Sequence, residues 1–218
     1  MKVSRLFAAF CFGLLTCATH AGAYEDFFFA LHQDNVEIVA SFLERGFDPN
    51  TVNPAGQPAL LLALRNKSVK VAKVLAAAPS TDIEVRSPQD ESPLMLAALR
   101  GYVDVCLVLM EREADVNKPG WTPLHYAATG GHVDVMKVLL EHHAYIDAES
   151  PNGSTPLMMA AMYGTLEAVQ FLISAGADSS IKNELGLTAA DFAKQGKKPD
   201  SVEAIGKSVR KTVTGGSW

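Results

Sequence analysis

The chain has 218 residues, a 48% hydrophobic content, a formal charge of −5 and a sequence pI near 5.7. That length allows one or two globular domains. The acidic balance, with no run of Lys or Arg, argues against a nucleic-acid partner and against an anionic membrane surface, both of which need a basic patch.

The first residues form a separate unit. Lys2 and Arg5 supply a positive start, Leu6 to Thr16 is apolar, and Ala21-Gly22-Ala23 offers the small residues that a signal peptidase reads. Residues 1–23 are therefore expected to be a cleaved secretory signal, too short in its apolar part for a membrane span. Leu14-Leu15-Thr16-Cys17 loosely resembles a lipobox, so lipid anchoring at Cys17 is the alternative. Removal of 1–23 takes two cations and leaves a charge of −7, and it leaves Cys106 as the single cysteine. One cysteine makes no intramolecular disulfide.

Downstream, the chain repeats itself with a period of about 33 residues, which signals stacked supersecondary units. Phe27-Phe28-Phe29-Ala30 is a worn first copy, and Gly46-Phe47-Asp48-Pro49-Asn50 follows it. Leu60-Leu61-Leu62-Ala63 stands in the second unit, Ser92-Pro93-Leu94-Met95-Leu96-Ala97-Ala98 in the third. Gly120-Trp121-Thr122-Pro123-Leu124-His125-Tyr126-Ala127-Ala128 is the clearest copy, and Gly153-Ser154-Thr155-Pro156-Leu157-Met158-Met159-Ala160-Ala161 follows 33 residues later. Thr188-Ala189-Ala190-Asp191-Phe192-Ala193 closes the series.

Each copy has one physical grammar. Thr or Ser caps a helix, Pro occupies its first turn, and paired alanines let a neighbour approach. Gly101, Gly131 and Gly164 are expected to close it. A second helix follows with helical apolar spacing, as in Val133, Val135, Met136, Val138, Leu139 and Leu140. An Ala-Asp-type turn ends each unit.

Thr-Pro-Leu-His-x-Ala-Ala, Gly-His, paired leucines and Gly-Ala-Asp in this register resemble the ankyrin-repeat family, over about residues 24–210. The resemblance implies an all-α solenoid of about six helix–turn–helix repeats joined by short β-hairpin finger loops. The units expected are 24–53, 54–86, 87–118, 119–149, 150–183 and 184–210. Asp200-Ser201 is expected to start a last helix running to about Arg210, and 211–218 reads as a flexible tail.

Two departures stand out. Pro93 and Pro123 are 30 residues apart, so the finger after Asn117 is three residues short and its hairpin should be stunted. The second unit has Ala76-Ala77-Ala78-Pro79-Ser80 where the family prefers Leu-Leu-x-x-Gly-Ala, which predicts looseness near Pro79 and Ser80.

Little in the sequence suggests chemistry. His125 and His132 occupy family positions that imply hydrogen bonding within and between repeats. His142 and His143 are adjacent at a helix end and point in different directions, which is poor geometry for chelation. Cys106 falls on a buried stripe. No nucleophile elbow, metal-binding helix motif or phosphate-cradling loop is present. The expectation is a non-enzyme with no cofactor and no metal.

The resemblance implies a partner surface made of the residue before the signature Thr and the two after the Ala-Ala pair. Carried over, these are Gln57, Arg65 and Asn66; Glu91, Leu99 and Arg100; Trp121, Thr129 and Gly130; Ser154, Met162 and Tyr163. Leu99, Arg100, Trp121, Thr129, Met162 and Tyr163 are the candidate patch, of the residue types enriched in hot spots. The alternative for Trp121 is that it covers apolar surface left by the short finger beside Pro119. The functional expectation is a monomeric scaffold that binds a protein outside the cytoplasm, in the periplasm if the source is Gram-negative. An accessory or protective partner of an exported enzyme is the leading role. An inhibitor or immunity-type protein, or a host-directed effector, is the alternative.

Overall fold

The computed structural model describes residues 22–214, so the expected signal, apart from its last two residues, and the end of the expected tail lie outside the described residues. Twelve helices occur among them, in six consecutive pairs, one pair per expected unit. The described chain divides into two compact units at Thr81 and Asp82.

In the first unit, α1 covers residues 22–32 and pairs with α2 (Val36–Glu44); α3 (Ala59–Arg65) pairs with α4 (Val69–Ala77). An aromatic cluster fills the first pair: Phe27 stacks on Phe47 at 4.5 Å and meets Phe28 and Phe42 edge-on. Such rings bury large apolar areas, which gives this pair its own core.

The turn after α4 differs from its counterparts. A proline at position 79 cannot take the positive φ that Gly46 adopts, so the helix ends at Ala78 in an extended conformation (φ −67°, ψ 124°). In place of the expected looseness, the segment is tied down: the Asn50 side chain donates to the Ser80 carbonyl at 2.8 Å, and Thr81 is buried.

The second unit holds α5 (Pro93–Arg100), α6 (Val103–Glu111), α7 (Pro123–Gly130), α8 (Val133–Glu141), α9 (Pro156–Met162), α10 (Leu166–Ser174), α11 (Ala189–Gln195) and α12 (Pro199–Thr214). The odd-numbered helices pack in series, α5 on α7 on α9 on α11, and the even-numbered ones form a second layer. The core between layers is Leu94, Leu124, Leu157, Val105, Cys106, Leu109, Val135, Met136, Leu139, Val169 and Leu172, with the paired alanines at the helix contacts. Helix α12 runs to Thr214, four residues beyond the expected end at Arg210.

The caps follow the sequence in most repeats. Ser92, Thr122, Thr155 and Thr188 each begin a capping box with the residue three positions on. Gly101 and Gly131 close α5 and α7 in the left-handed conformation, at φ 76° and 73°. Gly164 does not: Tyr163 caps α9, and a Cβ at 164 would stand 2.4 Å from the Ala128 carbonyl oxygen. This glycine is required by close backbone approach, not by a left-handed cap.

The finger loops are tight turns and not β-hairpins; among the described residues only Val52 and Pro58 form an isolated bridge. Four fingers close the same way, with the N–H of Asn53, Ser87, Ser150 and Asn183 donating to the carbonyl of Gln57, Glu91, Ser154 and Leu187 at 2.9–3.0 Å. The finger after Asn117 lacks that closure, as its missing residues require.

Candidate protein-binding site

The centre of the second unit is organised by His125, the third residue of α7. The Thr122 N–H donates to its Nδ1 at 3.2 Å, so the proton of the neutral ring sits on Nε2, which donates to the Ser154 carbonyl at 2.9 Å. The side chain is fully buried, and burial pulls its pKa down to about 4. His132 makes a second link of this kind, from Nε2 to the Leu99 carbonyl at 3.0 Å. Both histidines join one repeat to the next, as the sequence suggested.

Trp121 meets the His125 ring edge-on at 5.2 Å, directly before the α7 cap. Only half-buried, it forms one wall of an open hollow of about 240 Å³ lined by Leu99, Trp121, Tyr126, Thr129 and Met159. The register explains the convergence. Leu99 ends the exposed edge of α5; Tyr126 and Thr129 are three apart on α7 and share a face; Met159 stands on α9 at the position equivalent to Tyr126. The Tyr126 hydroxyl donates to the Glu91 carboxylate; burial first, then the charge of Glu91, pushes its pKa up to about 12.

The structure thus brings together three of the six candidate residues, Leu99, Trp121 and Thr129. Arg100 is exposed, Met162 half-buried and Tyr163 56% exposed, but none of the three lines the hollow. Ser154 is buried, with its carbonyl accepting from His125, so it is a structural residue and not a contact position. Gly130 lies against His132 and the Leu99 carbonyl, where a Cβ would come within 2.4 Å of the imidazole. In the first unit, the Gln57 side chain accepts from Asn53 at 2.8 Å, and Asn66 donates to His32 at 2.8 Å. Arg65 is half-buried.

Sequence reasoning missed Tyr126 and Met159. Both occupy the position before the Ala-Ala pair, filled by buried Leu96 in the third repeat. A tyrosine at an otherwise aliphatic position, three residues before Thr129, was the available signal.

Other groups are quiet. Cys106 is fully buried, and burial pushes its thiol up to about 12. His142 caps the end of α8, and His143 follows it at φ 65°. Among the described residues no group of three or more His, Cys, Asp or Glu is placed to hold a metal ion, and no helix is long and apolar enough to cross a membrane.

Comparison with known proteins agrees with this geometry. The family described as Ankyrin repeats (3 copies) matches residues 27–119 and 114–183. The chain is 32% identical over 154 residues to the B-cell lymphoma 3 protein homolog of Mus musculus, covering 67% of this chain and 34% of that protein. It is 29% identical over 153 residues to ankyrin repeat and SAM domain-containing protein 6 of the same species, covering 70% and 14%. A putative ankyrin repeat-containing protein of Treponema pallidum (strain Nichols) is 25% identical over 182 residues, covering 84% and 51%. The chain belongs to the ankyrin-repeat family. It spans about a third or less of the first two relatives and about half of the third. As in that family, its repeats form a protein-binding scaffold.

Proposed function

We propose that this scaffold is non-catalytic, acts outside the cytoplasm, and holds a protein partner at the hollow bounded by Leu99, Trp121, Tyr126, Thr129 and Met159, serving as an accessory or protective partner of an exported enzyme. The observation that carries the binding site is Trp121: a large aromatic, half-buried, edge-on to a rigidly held histidine and facing an open apolar hollow. Rigid aromatics beside small hollows are the usual anchors of protein interfaces. Export rests on the sequence of residues 1–23.

Affinity capture with the wild-type chain and with Trp121→Ala, from the exported fraction of the source cell, tests the reading. A protein enriched by wild type and lost with the variant is the expected result. Equal recovery by a variant that still melts cooperatively overturns the site. An N-terminal sequence of the exported protein beginning near residue 24 supports export; retention of residue 1 on a cytoplasmic protein overturns it.

A further inference from the structure

The thioethers of the second unit stand in two environments. Of the chain's seven methionines, Met1 lies outside the described residues, which leaves six to compare. Met95, Met110, Met136 and Met158 are buried in the core. Two of these are also tied by hydrogen bonds, since the sulfurs of Met95 and Met158 accept the Ser92 and Thr155 N–H at 3.3 and 3.4 Å. Met159 and Met162, both on α9, are only half-buried. Adjacent residues on a helix point about 100° apart, so Met158 enters the core while Met159 reaches the surface.

Met159 differs from Met162 in its surroundings. It lines the open hollow of about 240 Å³ with Leu99, Trp121, Tyr126 and Thr129, and Met162 does not. Sulfur oxidation follows access to solvent. The thiol that would compete is out of reach, because Cys106 is fully buried and held protonated up to about pH 12. A peroxide arriving from solvent therefore meets Met159 and Met162 before any buried sulfur, and only Met159 belongs to the hollow. The two hydroxyls of the lining are already engaged, Thr129 with the His125 carbonyl at 2.8 Å and Tyr126 with Glu91.

We infer that Met159 is a site of reversible oxidation by peroxides, and that its sulfoxide closes the hollow to a partner. With hydrogen peroxide, the O–O bond breaks and one S–O bond forms. The thioether is oxidised by two electrons, and the second oxygen leaves as water with both protons. The product places a polar, chiral group in the wall of an apolar hollow. An apolar side chain seated there would strip water from the sulfoxide oxygen, and neither engaged hydroxyl is free to replace it. The effect on docking rests on the reading that the partner seats at this hollow; the oxidation itself does not.

Dilute hydrogen peroxide on the full native chain, followed over time by peptide mass mapping, tests the site. Met159 and Met162 should oxidise at least about tenfold faster than Met95, Met110, Met136 and Met158, which react only through local opening. Trp121 reports the hollow in a Trp218→Phe background. Its emission should move to longer wavelength on oxidation, in wild type and in Met162→Leu, and should not move in Met159→Leu. Exchange of Met for Leu conserves volume, so the fold should survive. If Met159→Leu does not melt cooperatively, methionine sulfoxide reductase acting on oxidised Met162→Leu gives a second measurement, and the emission should return. Capture of the Trp121-dependent partner, each chain compared with itself before oxidation, should weaken about tenfold for wild type and Met162→Leu and hold for Met159→Leu. Oxidation of Met159 no faster than that of the buried methionines overturns the proposal. So does an equal response in Met159→Leu, or an emission that the reductase does not restore. Capture that requires Trp121 but tolerates the sulfoxide overturns the closing of the hollow and leaves the docking reading in place. If Met159 oxidises and Trp121 responds while capture ignores both oxidation and Trp121→Ala, the docking reading falls and the oxidation site stands.

Discussion

The imidazole of His125 donates from Nε2 to the carbonyl of Ser154, 2.9 Å away and one repeat further along the chain. The same ring accepts from the Thr122 N–H and hydroxyl. One buried side chain therefore caps its own helix and fastens the next finger. His125→Ala should cost about 3 kcal/mol, combining a cavity with the unpaired Thr122 N–H. Urea unfolding at neutral pH measures it; a loss within error of zero would contradict the buried geometry.

The same residue makes stability depend on acid. The unfolded imidazole takes up a proton near pH 6.5 and the folded one not until about pH 4. Across that window the unfolded chain holds more protons, so stability falls as pH is lowered, by at most about 3 kcal/mol, and levels off below pH 4. Above pH 6.5 this group adds no pH dependence. Comparing wild type with His125→Gln isolates it from the aspartates, and the variant should show a flatter slope between pH 6.5 and 4.

Methionine holds the equivalent position in the neighbouring repeats. The Met95 and Met158 sulfurs accept from the Ser92 and Thr155 N–H at 3.3 and 3.4 Å, but a thioether has no proton to donate onward. Met158→His should add a bond toward the Leu187 carbonyl, the counterpart of Ser154, and raise stability by about 1 kcal/mol. No gain in melting temperature would show that α9 and the last finger are spaced differently from α7 and its neighbour.

Gly131 sits at φ 73°, and a Cβ there would come 2.6 Å from the Thr165 side chain. Gly131→Ala is expected to cost about 2 kcal/mol through left-handed strain and the displaced threonine. Lys67 holds the corresponding left-handed position at φ 65°, so Lys67→Gly should run the other way and stabilise by up to about 1 kcal/mol. Thermal denaturation of the two variants checks both signs.

Cys106 offers a probe. Its thiol is buried and held protonated up to about pH 12, so alkylation should be slow in the folded chain and fast in urea. In a background with Cys11 and Cys17 replaced, rapid labelling of the native protein would contradict the core placement.

The repeat was legible because its punctuation is local. Thr122-Pro123, Thr155-Pro156 and the Ala-Ala pairs carry their helix starts and contacts in adjacent residues, and all six helix pairs fall where they pointed. What escaped depends on longer reach. Ser154 reads as a surface position until His125 arrives from 29 residues away. Gly164 reads as a left-handed cap until the Ala128 carbonyl is placed beside it. Tyr126 and Met159 have helical spacing that marks a face, but the hollow forms only where Leu99 of α5 and Trp121 meet that face, residues drawn from separate repeats.

Asn117 itself survived that shortening with its duties intact. Its side chain donates to the His143 carbonyl and accepts from the Tyr145 N–H, both at 2.8 Å, as Asp147 accepts from Asp178 one repeat later. Alignment between successive repeats is therefore kept by contacts that lie just upstream of the deletion. Finger length can drift by several residues without disturbing the stack, which leaves it open to selection as a dial for recognition, separate from the machinery of folding.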